Sequence, residues 1–500
     1  MLIQTMEWIK EKLQNGQKEH DEYQWLKNLL EADAISEKKR KMREGERYYQ
    51  CEQDVVYKDF RVKAVSETYH REDGTEDDGI VQFSNPNRSN HHCVNPFHHI
   101  LVAQKAAYLV GREPNITVKG AMEEEELKQY EAMLLEVADE RFNRVLHDWV
   151  IGASNKGIEY LHIYYDEDGR LCYCIVPAEQ IIPIFENQNN EELQEVIRYY
   201  NITVLENGKE EERLVVERWS KENVTYYQQD RRGAFKKMEG DNNPFPHWLD
   251  VTLVDEKPTK VLEHGWGRVP FIPLRNNSRE ITDLELIKGL VDAYDLLSSE
   301  GTNNLLDLVE LYWVIEGYGG EAANAIAKKL QVNKAVHIND PSGKVEAKQI
   351  TLPVEGRLQW MKMLRKDIFH FGMGVDTDSE ELGKAPSGVS LKFQYAMFHL
   401  KINGIVPEVK RAIKEFFRYV TEDRNRKLGT DFNWKKIEIS LNLSSIQDDK
   451  ETTEIIALSK GMVSEKTLLG RHPFVDDVNA EMEQILTERR LGLQKEEEKK

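Results

Sequence analysis

Cysteine is scarce in this chain: four in 500 residues, at Cys51, Cys93, Cys172 and Cys174. That is too few for a disulfide framework and fits free thiols in a reducing interior. Long apolar runs are missing as well. The longest stay under ten residues, far short of the ~20 that a spanning helix needs, so no membrane crossing is expected. The opening MLIQTMEWIKEK has no basic segment followed by an apolar one and does not read as a secretory signal. Positive charge is in deficit, with 68 Lys and Arg against 88 Asp and Glu, a net of −20. Such a chain is not a general nucleic-acid coat, because non-specific affinity comes from cations that neutralise phosphates. GxxxxGK[ST], GxSxG and GxGxxG are all absent, which leaves no case for a P-loop ATPase, a serine hydrolase or a dinucleotide binder. The 40% apolar and 31% charged residues describe a soluble intracellular chain of two to four domains, at ~100–200 residues each.

Periodicity divides the chain. Met6, Ile9, Leu13, then Trp25, Leu26, Leu29 and Leu30 recur at helical spacing. Residues 51–95 read as a long polar arm of turns and loop, lying over the chain's own body or over a neighbour. Helix resumes at Pro96 and stops at Gly111, and a second helix is expected from the Glu-rich run at 123–126 to Val150. From Gly157 to Arg275 the period changes to two. EYLHIYYDEDGRLCYCIV and RYYNITVLENGKEEERLVVERWS each alternate about a turn dipeptide, Asp168-Gly169 and Asn207-Gly208, and predict an antiparallel β region.

Helix is then expected from Ile281 to Tyr312, ~45 Å long at 1.5 Å per residue, followed by a small helical turn and hairpin and a helix from Val354 to Phe371. GMGVDTDSEELGKAPSG interrupts. Beyond it Leu391, Tyr395, Phe398, Ile402, Ile405, Val409, Ile413, Phe416 and Val420 hold near-heptad spacing. Pro407 removes one donor and crowds the carbonyl of Asn403, predicting a kink near Asn403-Gly404. These long apolar stripes suit either the core of their own domain or a seam against another copy. A strand, KKIEISLNLS, and a helical tail close the chain.

Two groups of side chains invite chemistry. His91, His92, Cys93, His98 and His99 are the sharpest metal candidates, since His and Cys are the usual zinc donors, but their spacing fits no standard pattern; the bland alternative is a polar arm leading into a helix. Asp376, Asp378, Glu380 and Glu381 resemble a carboxylate set for two-metal phosphoryl transfer. Such sites place ligands on rigid elements from several segments, whereas these four are contiguous in a loop, so a solvated acidic loop is the favoured reading.

The order of elements resembles the portal, or head-to-tail connector, proteins of tailed bacteriophages, in the form found in long-tailed phages of Gram-positive hosts. NPFHHILVAQKAAYLVGREP is similar to the family's first wing helix, and GIEYLHIYYDEDGRLCYCIVPAEQIIPIF to its β hairpin. GRVPFIPLRNNSREITDLELIKGLVDAYDLLSS is similar to its strand-to-stem junction, with Asn276, Asn277 and Asp283. GKAPSGVSLKFQYAMFHLKI resembles its tunnel loop and following helix. The resemblance implies an α+β fold: a wing over 1–280, stem helix 1 over 281–311, a clip over 312–352 and stem helix 2 over 353–375. A tunnel loop over 376–388, a long kinked helix with a return strand over 389–447 and a helical crown over 448–500 complete it, the crown shorter than in relatives with a longer acidic tail.

It further implies a non-enzymatic ring of about twelve subunits without cofactor, metal or membrane, present in the virion and, during assembly, in the host cytoplasm. Double-stranded DNA would pass without sequence specificity, facing Asp376, Asp378, Glu380, Glu381, Lys384, Ser387 and Lys392. Ser387 would cap the helix that follows, and Gly372, Gly374, Gly383 and Gly388 would give the loop backbone freedom. Glu316, Tyr318, Lys334, His337, Asp340 and Lys344 would form the clip surface for the terminase large subunit and head-completion or adaptor proteins, with the wing against major capsid and scaffold proteins. Two rivals make different predictions: a metal-dependent nuclease using Asp376 and Asp378, and a scaffold whose long helices are core.

Overall fold

The structure, a computed structural model, describes residues 18–488 except 71–75, 85, 87, 121–122, 187–191, 207–208, 230–232, 234, 239–242, 255–256, 308–311, 317–343, 349–353, 379–394, 444–448 and scattered positions within 471–480. Two helices, α1 (Lys18–Ala34) and α2 (Glu37–Tyr49), lead the described chain. Ser36 caps the second by accepting from the Lys39 amide. The supposed polar arm holds a hairpin, β1 (Val62–His70) paired with β2 (Glu76–Ser84). Turn-forming residues crowded at 70–79 and 84–92 outweighed the strand pattern in the sequence.

Helix α3 (Phe97–Val110) ends at Gly111 as expected. The single helix expected from 123 to Val150 is two, α4 (Glu124–Val137) and α5 (Glu140–Lys156), broken by Asp139, whose carboxylate caps the second at the Phe142 amide, 2.8 Å away. An acidic residue just before an apolar run was the available signal. Gly157 ends α5 in the left-handed region, φ 83°.

The β region is confirmed. Strand β4 (Ile158–Tyr165) pairs antiparallel with β5 (Leu171–Val176) and, later in the chain, with β14 (Phe271–Arg275). Between them a second sheet runs in the order β10-β9-β8-β7-β6, of strands β6 (Ile181–Phe185), β7 (Leu193–Glu206), β8 (Lys209–Trp219), β9 (Asn223–Gln229) and β10 (Phe235–Lys237). Glu206 faces Lys209 at the end of the β7–β8 ladder. Alternation fails in β4, where Ile158–Ile163 is buried throughout: Leu161 and Ile163 pack on one core, Ile158 and Tyr160 on another.

Helix α6 (Lys288–Asp307) begins later than expected from Ile281. Asn276, Asn277 and Asp283 bond their side chains to neighbouring backbone or to one another through 276–283, so that stretch turns instead. A short ribbon follows, β15 (Tyr312–Glu316) with β16 (Lys344–Lys348). The expected hairpin strand at 344–348 thus has its partner in β15, ahead of the segment where the hairpin was expected, and residues 317–343 lie outside the described ones. Helix α7 (Val354–Phe371) has the bounds expected from the sequence and is followed by a turn at Gly372–Gly374.

The long helix α8 (Ala396–Leu428) ends at a left-handed Gly429. Its stripe is core: Phe398, Ile402, Ile405, Val409, Ile413, Phe416 and Val420 are all buried, against Phe142, Leu146 and Trp149 of α5 and the sheet above. Phe142 stacks on Phe416 with centroids 4.9 Å apart. Burying each such side chain stabilises by roughly 1.5–3 kcal/mol. The return strand, β17 (Ile437–Ser440), pairs with a short strand at Asn115–Val118. Among the described residues no helix is long and apolar enough to cross a membrane.

Candidate functional site

The acidic loop's described root is held from three sides. Helix α3 presents Leu101 to Gly372 and Gly374, where an added Cβ would collide with its methyls. These glycines therefore serve close approach of backbone to Leu101, which corrects the expectation of freedom at those two positions. One turn on, Gln104 grips Val375 twice, its amide donating to the carbonyl at 2.8 Å and its oxygen accepting from the amide at 3.1 Å. Arg365 of α7 donates to both oxygens of Asp376, at 2.9 and 2.7 Å, and to Asp378 at 2.9 Å. Burial alone would raise the Asp376 carboxyl, but the guanidinium and the Asp378 amide hold it below the usual range. The two carboxylates of the nuclease rival are thus satisfied by a fixed cation. Glu380, Glu381, Lys384, Ser387 and Lys392 lie outside the described residues, as do Gly383 and Gly388.

A buried ionic node lies beside this root. Asp283, at the start of the first stem, accepts from Lys105 of α3 at 3.1 Å and pairs with Lys401 of α8 at 2.9 Å. Asn276 donates to its other oxygen at 2.8 Å and accepts in turn from Lys105. Lys401 also donates to the Gly372 carbonyl, 3.0 Å away, beyond the end of α7. Burial would raise the Asp283 carboxyl; the two ammonium groups overcome it and hold it far below its ordinary range. Burial lowers Lys105 to about 8 against the pull of Asp283. Helix α3, the turn before α6, the turn after α7 and helix α8 meet here. Sequence reasoning passed over Lys105, Arg365 and Lys401, whose partners lie in remote segments.

The stem also binds the end of the arm. Along α6 the side chains of Asp295, Ser299, Asn303 and Asp307 accept from the amides of Asn95, Cys93, His91 and Ser89 at 2.7–3.0 Å. Four helical residues rise ~6.0 Å and two extended ones ~6.6 Å, so the repeats match for several rungs. The i, i+4 polar series was visible in the sequence and went unused. Here the arm lies on its own body.

The metal candidates are not gathered. His98 is buried, 3.1 Å from the Asn155 side-chain oxygen, and burial lowers it to about 4. His92 bonds the Lys58 carbonyl, His99 stacks on Tyr49, and the Cys93 thiol lies 3.2 Å from the Thr302 hydroxyl. Among the described residues no three His, Cys, Asp or Glu side chains are placed to hold a metal ion.

In the clip, Glu316 and Lys344 face each other across the ribbon. Tyr318, Lys334, His337 and Asp340 lie outside the described residues. Asn403, Gly404 and Pro407 lie within α8, which is continuous across the proline.

The described root of the acidic loop is thus fixed to α3, α7 and α8 by the side chains of Gln104, Arg365 and Lys401. The family model for phage portal protein, SPP1 Gp6-like, matches residues 11–494, and the chain belongs to this family. It is similar to the portal protein of Bacillus phage SPP1, 28% identical over 445 residues that cover 88% of this chain and 82% of that protein. It is likewise similar to the portal protein of Clostridium phage phiCD119, 27% identical over 490 residues, 95% of this chain and 98% of that one. The chain is thus a structural, non-enzymatic virion protein that associates with the capsid as an oligomeric ring.

Proposed function

We propose that the ring, of about twelve subunits, forms the channel at the capsid vertex through which DNA is packaged, retained and ejected. The observation that carries this reading is the apolar surface left open on the paired stem helices. Helices α6 and α7 run in opposite directions, Gly301 beside Arg357 and Ile287 beside Gly372. Leu305, Leu306, Val354, Leu358, Trp360 and Met363 remain exposed along them, Leu305 at 60% and Val354 at 59%. A groove of about 230 Å³ opens between Leu297, Gly301, Leu305, Val354, Arg357 and Met361. A second copy laid on this face removes that surface from water, at ~25 cal/mol for each Å².

In this reading residues 1–280 are wing, 281–311 and 353–375 stems, 312–352 clip, 376–388 tunnel loop, 389–447 a long helix bent near Asn403, Gly404 and Pro407 with its return strand, and 448–500 crown. Net charge −20 keeps passing phosphates from binding; Lys384 and Lys392 make sliding contacts beside Asp376, Asp378, Glu380, Glu381 and Ser387. The clip, through Glu316, Tyr318, Lys334, His337, Asp340 and Lys344, docks the terminase large subunit, a separate ATP-driven motor, and later the head-completion proteins. The wing meets capsid and scaffold proteins. Assembly takes place in the host cytoplasm.

Deleting 379–383 tests the loop's role. Rings of wild-type mass that fail to package DNA are expected; normal packaging by the deletion overturns it.

A further inference from the structure

We propose that Lys401 is a releasable strut: a positioning residue that fixes the first turns of α8 to both stem helices and can withdraw without orphaning the charge it leaves behind. It spans two bonds, one to Asp283 at 2.9 Å and one to the Gly372 carbonyl at 3.0 Å. Asp283 sits just before α6 and Gly372 just after α7, so one ammonium group ties together three elements.

The node is asymmetric, with one carboxylate between two ammonium groups. If Lys401 withdraws, Asp283 keeps Lys105 on one oxygen and Asn276 on the other, and its backbone amide still donates to the Ser154 carbonyl at 2.9 Å. If Lys105 withdraws, Asn276 loses its donor as well, inside a region closed to water. Exposure follows the same order: the Lys401 side chain keeps 11% of its surface, that of Lys105 2%. A lysine with a path to water regains hydration as it leaves, whereas an enclosed one does not. Removal of Lys401 also relieves repulsion between the two cations, which adds to burial in lowering Lys105. Gly372 is left with a carbonyl at a helix end, a group that water readily satisfies.

Lys105, Asn276 and Asp283 therefore form the permanent frame and Lys401 the movable member. Only Lys401 belongs to the helix that follows the acidic loop.

The test is hydrogen exchange by mass spectrometry together with thermal melting on the purified full-length chain, comparing Lys401→Met, Lys401→Arg and Lys105→Met. In Lys401→Met, amides over 396–403 and 372–376 should exchange about tenfold faster, the size of one lost charge-assisted bond. The remaining segments and the melting temperature should stay near wild type. Lys401→Arg should restore slow exchange, and Lys105→Met should melt far lower and expose the whole wing. Unchanged exchange at 396–403 in Lys401→Met overturns the proposal, and so does a melting temperature, or a failure to fold, matching that of Lys105→Met. None of these readouts depends on DNA, a capsid or the ring.

Discussion

Asp295 shows how one buried carboxyl can make stability depend on pH. It is fully buried, one oxygen accepts from Asn95 twice, at 3.0 and 2.8 Å, and the other has no hydrogen-bond partner among the described residues. Burial raises its pKa to about 7, with Asp292 adding repulsion and Asn95 opposing. A carboxyl that holds its proton more tightly folded than unfolded stabilises the fold below its unfolded value, and that contribution is lost as pH rises through about 7. Glu159, raised by burial to about 7 despite Lys156, works in the same direction. Asp295→Asn should therefore melt close to wild type at pH 5 and several degrees above it at pH 8. Parallel melts check this, and an equal difference at both pH values contradicts it. His98 and His162, lowered by burial to about 4 and about 3, act oppositely: their contribution is lost as pH falls from about 6.5 toward those values.

Within the long helix, Gly404 has open space where a Cβ would go, with no atom inside 4 Å. Gly404→Ala should stabilise the protein by about 1 kcal/mol, the ordinary helix preference for alanine, read from the shift in denaturant midpoint. If bending near Asn403-Gly404 and Pro407 serves packaging, the same variant should package less DNA while melting higher. The α6 ladder makes a prediction of its own. Asn303 both accepts from the His91 amide and donates to its carbonyl, so Asn303→Ala should cost about 1–3 kcal/mol and speed exchange over 89–95 beyond any other described segment. These elements differed in how readable they were. The stripe of α8 was plain because seven core residues repeat at three and four. The break before Asp139 was not, since its apolar spacing continues across the gap. The strands at 62–84 escaped because the Gly, Asp and Asn residues at 70–79 and 84–92 make the whole stretch read as loop.

For the whole molecule, the long helices resolve into two kinds. The stripe of α8 is enclosed by its own chain, whereas α6 and α7 leave Leu305, Val354, Leu358 and Trp360 open. Light scattering should give a mass of about twelve 58.3 kDa chains, and negative-stain images of the same peak should show a central hole. Leu358→Glu combined with Trp360→Glu should shift that peak toward the single chain while leaving its melting temperature near wild type, because neither side chain is part of the chain's core. A double variant that still forms rings argues that the stems are not the seam.

Local order was written in short-range pattern: helix against strand by period, hairpins by Asp168-Gly169 and Asn207-Gly208, a helix end by Gly111. Those features depend on residues within about four positions of one another, so periodicity carries them. The acidic composition and the absent nucleotide and nucleophile motifs likewise needed no coordinates. The anchoring of the loop root did. Lys105 and Asp283 are separated by 178 positions, Gln104 and Val375 by 271, and no local pattern marks such pairs. Which apolar stripe became core and which stayed open was settled in the same way, by the packing of remote segments, because burial is a property of neighbours that the chain brings together only on folding.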